Sequence, residues 1–241
     1  PSRRERSTVT IRGIAFDLEG TVVDVEAAHH NGHLAAADEF GLTISLEEAY
    51  ARLPHFIGGP DEKVCEDIRN LLDEETRKRV TVDDILARDK FHYERLLAEM
   101  PIEPRSGFLS FYERVRDMGL KLTIGSPTPE KQAVTLLERS GLATTFGQRN
   151  IVLLEHVANS KPAPDVFLKT ASIMEIDPRE QLVFEDSPRG VKAALAAGSK
   201  AVGMPVVIRG VTVGALVDAG VCRVFFDWRE INASALIENL G

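Results

Sequence analysis

Cysteine is scarce: Cys65 and Cys222 are the only two among 241 residues, and their spacing suggests neither a disulfide framework nor a metal site. They read as free core thiols in a reducing compartment. No apolar run approaches the ~20 residues of a membrane span. Positive charge is also in deficit. The chain has 29 Lys and Arg against 37 Asp and Glu, a net charge of −8. Nucleic acid and anionic membranes reward clustered cations, so neither is expected as the main partner. A small anionic substrate stays open, because a pocket can be positive on a negative surface. The basic N-terminal "PSRRERST" is followed by a strand rather than an apolar signal segment and reads as a frayed tail. The expectation is a soluble, cytoplasmic protein, a monomer or weak homodimer. With 44% hydrophobic and 27% charged residues it can bury a core, as one domain with an insertion or as two small domains.

Residues 9–16, "VTIRGIAF", are apolar and β-rich, as a central parallel strand should be. Helical patterns then fill about 26–100, with "EAAHHNGHLAAADEFG", "SLEEAYARL", "PDEKVCEDIRNLL" and "TVDDILARDKFHYERLLAEM". "PIEPRSG" at 101–107 reads as a linker. Beyond it the chain alternates. Helix "FLSFYERVRDMG" leads to strand "LKLTIGS", helix "PEKQAVTLLERSG" and strand "NIVLL". Helix "PDVFLKTASIME", strand "QLVFEDS", helix "RGVKAALAAG" and strand "KAVGM" follow. Helix "TVGALVDAG", strand "CRVFF" and a short last helix complete the chain. Strands alternating with helices of this length imply a doubly wound, Rossmann-like α/β core with a parallel sheet. The first strand belongs to that sheet, so the core is expected at 1–24 and 106–241 with a helical cap inserted at 25–105.

Ligands bind such sheets beyond the carboxyl ends of the strands. The first strand ends in Asp17 and Glu19, "LKLTIG" ends in Ser126, and "QLVF" ends in Glu185-Asp186-Ser187. A loop between the last two carries Lys161. Alternation along an extended chain puts Asp17 and Glu19 on one side. Up to four carboxylates then converge, which mutual repulsion forbids without a cation or retained protons. A hard divalent ion suits oxygen donors, and Mg²⁺ suits few carboxylates with phosphate oxygens. The Ser126 hydroxyl and the Lys161 charge suit a phosphate.

"FDLEGTVVD", "TIGSPT", "SKPAPDVF" and "VFEDSPRGVKAALAAG" resemble, in order, the four signature motifs of the haloacid dehalogenase-like superfamily. "SKPAPDVF", "EDSPRGVKAALAAG" and His29 are most similar to its β-phosphoglucomutase and sugar-phosphate phosphatase branch. The resemblance implies an Mg²⁺-dependent phosphatase acting on a small phosphorylated metabolite. Asp17 would be the nucleophile and form an aspartyl-phosphate. Glu19 stands where the family has an Asp acid/base. Thr21, Ser126 and Lys161 would hold the phosphoryl group. Asp186, Asp17 and the carbonyl of Glu19 would ligate the metal, with Glu185 in or just outside that shell.

Four alternatives stay in view: a phosphomutase, a phosphonoacetaldehyde hydrolase-like enzyme, a dehalogenase and a non-catalytic binder of phosphorylated metabolites crowded by the longer Glu19. The second needs a cap lysine for a Schiff base, and Lys63 in "FIGGPDEKV" is the candidate, read here as a solvated helix-face lysine. The third fits poorly with Ser126, Lys161 and Asp186, a metal-and-phosphate set. His29 and His33 are four apart, a helical metal-ligand spacing. No acid or cysteine nearby in sequence completes a set, so they read as ordinary cap histidines. The two glycines of "FIGGP" allow either a plain turn or close approach to a ligand.

Overall fold

The computed structural model describes residues 9–240, so the "PSRRERST" tail lies outside the described residues. Two compact units are present. One comprises the chain up to Asp24 together with Glu103 onward, and the other is Val25–Ile102.

The first strand, β1 (Gly13–Phe16), opens the larger unit. The smaller unit is helical: α1 (Glu26–Glu39), α2 (Leu46–Arg52), α3 (Asp61–Leu71), α4 (Glu74–Arg79) and α5 (Val82–Glu99). Capping boxes start two of these helices. The Ser45 and Thr81 hydroxyls accept the amides of Glu48 and Asp84, whose carboxylates reach back. Ala36, Ala37, Val64, Cys65, Ile68 and Ile85 pack as this unit's own core.

The larger unit resumes with α6 (Phe108–Asp117), β2 (Lys121–Gly125), α7 (Glu130–Arg139), α8 (Leu142–Phe146), β3 (Ile151–Val152) and α9 (Asp165–Met174). It continues with β4 (Gln181–Glu185), α10 (Pro188–Ala196), β5 (Lys200–Gly203), α11 (Gly210–Ala219), β6 (Arg223–Val224) and α12 (Ala233–Leu240). All six strands are parallel, in the order β3-β2-β1-β4-β5-β6. β1 is central, and connections run outward from it in both directions. That is the topological switch point at which open α/β sheets bind ligands.

The pleat sends alternate residues of β1 to opposite faces. Ala15 packs with Val166 and Phe167 of α9, Val183 of β4 and Val191 of α10. Phe16 packs on the other face, its ring centroid 5.3 Å from that of Phe108, 5.5 Å from Phe184 and 5.8 Å from Trp228. Burial on both faces explains the uninterrupted apolar run.

Two boundaries differ from the sequence reading. The run 9–16 pairs only from Gly13, where its partners Lys121 and Gln181 begin. Glu103–Arg105, read as part of the insertion, group with the core. Val23 bridges Pro104, and the Arg105 amide donates to the Val22 carbonyl at 2.7 Å. No helix among the described residues is long and apolar enough to cross a membrane.

Candidate active site

Asp17 follows the last residue of β1, its amide donating to the Phe184 carbonyl at 3.0 Å. Phe16 takes the aromatic face, so Asp17 points to the other, where Lys161 lies. The Lys161 ammonium donates to Asp17 Oδ1 (2.5 Å), Glu185 Oε1 (2.5 Å) and the Gly125 carbonyl (3.1 Å). Its three donors are thereby all used, and the Phe167 ring centroid lies 5.0 Å from Nζ. The other oxygen of Glu185 accepts from the Ser187 amide (3.2 Å) and hydroxyl (3.0 Å). Position 190 must be Gly, because a Cβ there would overlap the Glu185 carboxylate.

All three groups are buried, and one ammonium serves two carboxylates. Burial pushes the Asp17 carboxyl up to about 7, against the pull of Lys161 and with the Glu185 charge adding to the rise. Burial alone would lower Lys161, but the charges of Asp17 and Glu185 outweigh it and hold it above its ordinary value. One negative charge is in excess, and a proton or a cation must balance it.

Asp186 adds a further carboxylate. The Thr21 hydroxyl donates to its Oδ1 at 3.4 Å. Gly20, at φ +79°, lies directly under it, where a Cβ would fall on the Asp186 carboxylate. Asp17, Glu185 and Asp186 each bring one oxygen within 4.8 Å of the others. Three carboxylates within reach of one another, two of them on a single lysine and the third given room by Gly20, fit a hard divalent cation.

The Ser126 amide donates to the Val152 carbonyl at 3.0 Å, which sets Ser126 beyond β2, buried. Its hydroxyl meets that of Thr128 at 2.8 Å. Thr128 in turn donates to Glu19 Oε1 at 2.5 Å, and the Gln132 amide spans both Glu19 oxygens at 3.0 and 3.1 Å. Of the up to four acids expected to converge, three lie together, and the Glu19 charge still acts on Asp17. β1 ends at Phe16, and residues 18–22 form a turn closed by Val22 N to Leu18 O at 3.0 Å. Strand alternation does not extend to Glu19, whose carboxylate goes to β2's loop and α7.

Sequence reasoning missed Thr128, Gln132 and Arg105. Thr128 lies within "TIGSPT" and Gln132 in the first turn of α7, so proximity to the motif was the available signal. Arg105, in the stretch read as a linker, donates to the carbonyls of Gly20 and Met204, both at 2.7 Å. It fastens the turn after Asp17 to the end of β5.

In the helical unit, Lys63 is half-exposed and paired with Glu66 at 2.6 Å. That partner raises its pKa, whereas a Schiff-base lysine must lose its proton. His29 stacks on Tyr93 at 4.1 Å between centroids.

The haloacid dehalogenase-like hydrolase family pattern matches residues 14–204. A fructose-1-phosphate phosphatase of Escherichia coli (strain K12) is 30% identical over 193 residues, 79% of this chain and 94% of that protein. A phosphorylated carbohydrates phosphatase of Thermotoga maritima is 28% identical over 190 residues, 78% of this chain and 82% of that protein. The crystal structure of a haloacid dehalogenase-like protein of unknown function from Agrobacterium tumefaciens superimposes with a TM-score of 0.80 at 22% identity. It covers 95% of this chain and 99% of that one, a likeness of fold. The pattern spans β1 through the end of β5, the stretch that builds the carboxylate–lysine cluster, and the chain belongs to the haloacid dehalogenase-like hydrolases.

Proposed function

We propose that the chain is a phosphatase for small phosphorylated metabolites of the sugar-phosphate class. The observation that carries this reading is the Asp17 carboxylate, fixed by Lys161 at 2.5 Å beyond the central strand. The relatives named for phosphorylated sugars supply the substrate class.

Asp17 attacks phosphorus, and the ester oxygen leaves as an alcohol, taking the proton of Glu19. Water then attacks the aspartyl-phosphate and returns its proton to Glu19, freeing phosphate and the Asp17 carboxylate. Thr21 and Ser126 offer donors to the phosphoryl oxygens and Lys161 offers positive charge, where positioning and charge neutralisation do most of the catalysis. Asp17, Asp186 and the Glu19 carbonyl would hold Mg²⁺, with Glu185 beside them. When bound, it would supply positive charge against the phosphoryl oxygens. The Glu19 carboxylate is drawn towards Thr128 and Gln132. This weighs against the binder reading, in which Glu19 obstructs the pocket.

The test is phosphate release from a panel of sugar phosphates with Mg²⁺, using Asp17→Asn as the control. Turnover on at least one ester, abolished in the folded Asp17→Asn protein, is expected. Saturable binding without release would establish a binder instead. Full activity after exhaustive chelation would end the metal assignment.

A further inference from the structure

His33 of α1, Cys65 of α3 and Asp89 of α5 meet inside the helical unit, one potential donor atom of each within 4.8 Å of the others. They are 32 and 24 positions apart in the chain, and all three are more than nine-tenths buried. His33 Nδ1 and Asp89 Oδ1 approach to 2.9 Å. The two atoms meet as a close ion-pair contact, and neither makes a hydrogen bond in the interior. Leaving a buried donor or acceptor unmatched costs about 1–3 kcal/mol. Two such atoms beside a sulfur describe a coordination sphere better than a hydrogen-bonded pair.

We propose that His33 Nδ1, Cys65 Sγ and Asp89 Oδ1 bind a borderline divalent cation of the zinc type that staples α1, α3 and α5 together.

The donor set, the spacing and the surroundings support the assignment. Nitrogen, sulfur and oxygen donors together select zinc-like ions over Mg²⁺ or Ca²⁺, which take oxygen alone. A tetrahedral ion with bonds of about 2.0–2.3 Å sets its donors roughly 3.3–3.8 Å apart, inside the 4.8 Å within which these three lie. The Asp61 carboxylate lies 3.8 Å from the other ring nitrogen of His33, Nε2. Metal-bound histidines orient their second nitrogen on such a carboxylate, directly or through water. Burial first, then the charges of Asp89 and Asp61, push the Cys65 thiol up to about 12, so the cation has to displace its proton. Gly32 provides the space, since a Cβ there would come within 3.1 Å of Asp89 Oδ1. Cys65 binds as the thiolate and releases its proton to solvent, and water completes the sphere. The second cysteine, Cys222, is half-buried in the core with its sulfur on the Ala201 carbonyl at 3.0 Å.

The experiment titrates the full, metal-stripped chain with Co²⁺ and reads sulfur-to-cobalt charge transfer in the near ultraviolet. One equivalent giving that band is expected, displaced by Zn²⁺. The band should vanish in Cys65→Ala and persist in Cys222→Ala and in Asp17→Asn/Asp186→Asn. His33→Gln should weaken binding at least ~10-fold. Zn²⁺ should raise the melting temperature of wild type and not of Cys65→Ala. Should Cys65→Ala fail to fold, cobalt-edge absorption on wild type decides, with one sulfur in the shell expected. No charge transfer in wild type, a band surviving Cys65→Ala, or an oxygen-only shell overturns the proposal.

Discussion

Asp17, Lys161 and Glu185 in the core and His33, Cys65 and Asp89 in the cap are buried to the same degree, at most 5% exposed. They differ in how their polar atoms are matched. Lys161 spends one donor on each carboxylate and a third on a strand-end carbonyl. Ser187 takes the remaining Glu185 oxygen. In the cap cluster two polar atoms remain unmatched at close range. A matched network holds its shape without help, whereas a half-matched one is a liability unless something completes it. The core can therefore hold Asp17 in place before any ligand arrives, while the cap cluster gains most from a cation.

The comparison breaks most easily at Lys161. Lys161→Met keeps much of the side-chain volume and leaves two carboxylates facing each other in the interior. Breaking a buried pair in this way costs about 3–5 kcal/mol. Urea unfolding in chelator should show that loss, and turnover should vanish with it. Millimolar Mg²⁺ should restore part of the stability, since it supplies the missing charge. A loss under ~1 kcal/mol would mean that Asp17 and Glu185 are neutral or solvated in the folded chain.

Next is Glu19. Glu19→Gln retains the contacts to Thr128 and Gln132 in part but has no proton to give. Turnover on a sugar phosphate should fall by about 10²–10⁴, the usual worth of general acid/base catalysis. Esters with good leaving groups should suffer less. Glu19→Asp shortens the arm and loses reach to Gln132, so it should keep measurable activity. Equal rates for Glu19→Gln and wild type on both kinds of ester would remove Glu19 from proton transfer.

Gln132 sharpens the same point at smaller scale. Its amide spans both oxygens of Glu19, and Gln132→Leu removes that clamp while leaving α7 intact. A loss of one to two hydrogen bonds to a charged group is worth about 1.5–3 kcal/mol in position. The expected effect is roughly tenfold in kcat, with KM little changed. Placing Gln132 with the ester instead of with Glu19 predicts a change in KM at constant kcat.

These residues also mark what a reading of the chain could reach. Alternating strands and helices revealed the parallel sheet, and acids closing apolar runs pointed to Asp17 and Glu185-Asp186, whose carboxylates lie within 4.8 Å of one another. Those features are local in the chain. Thr128 and Gln132 were not legible, because their role depends on Glu19 leaving the strand direction at a turn that begins one residue after Asp17. The helices Glu74–Arg79 and Leu142–Phe146 passed unread for a related reason. The first, "EETRKR", buries no residue, and the second spans barely more than one turn. His33, Cys65 and Asp89 sit on three helices, and no spacing rule joins positions so far apart. "CRVFF" read as five strand residues; Arg223 and Val224 are in register with β5, and the Cys222 and Phe225 amides donate to its carbonyls on either side.

The smallest effect is expected from Glu39, the cap's exposed counterpart of the core pair. Its carboxylate takes a forked contact from Arg88, 2.5 Å from Nε and 2.7 Å from Nη2, and His92 Nε2 lies 2.7 Å away. The Arg88 hydrogen bonds hold the Glu39 carboxyl down at about 2, with His92 adding to them. A lowered pKa means that the folded form prefers the ion. The stabilisation is present above the ordinary value of 4.5 and is lost as pH falls through about 2. Glu39 and Arg88 are both more than a third exposed, so water and salt screen most of the Coulomb energy. Glu39→Gln should therefore cost only about 0.5–1 kcal/mol at pH 7. Melting curves of the two proteins should converge between pH 4 and pH 2, and in high salt at neutral pH. The comparison turns on this contrast, because the same kinds of charge are expected to matter several times more when Lys161 is the residue removed. If Glu39→Gln proves as costly as Lys161→Met, burial is not what separates the two sets, and the matched network of the core loses its special standing.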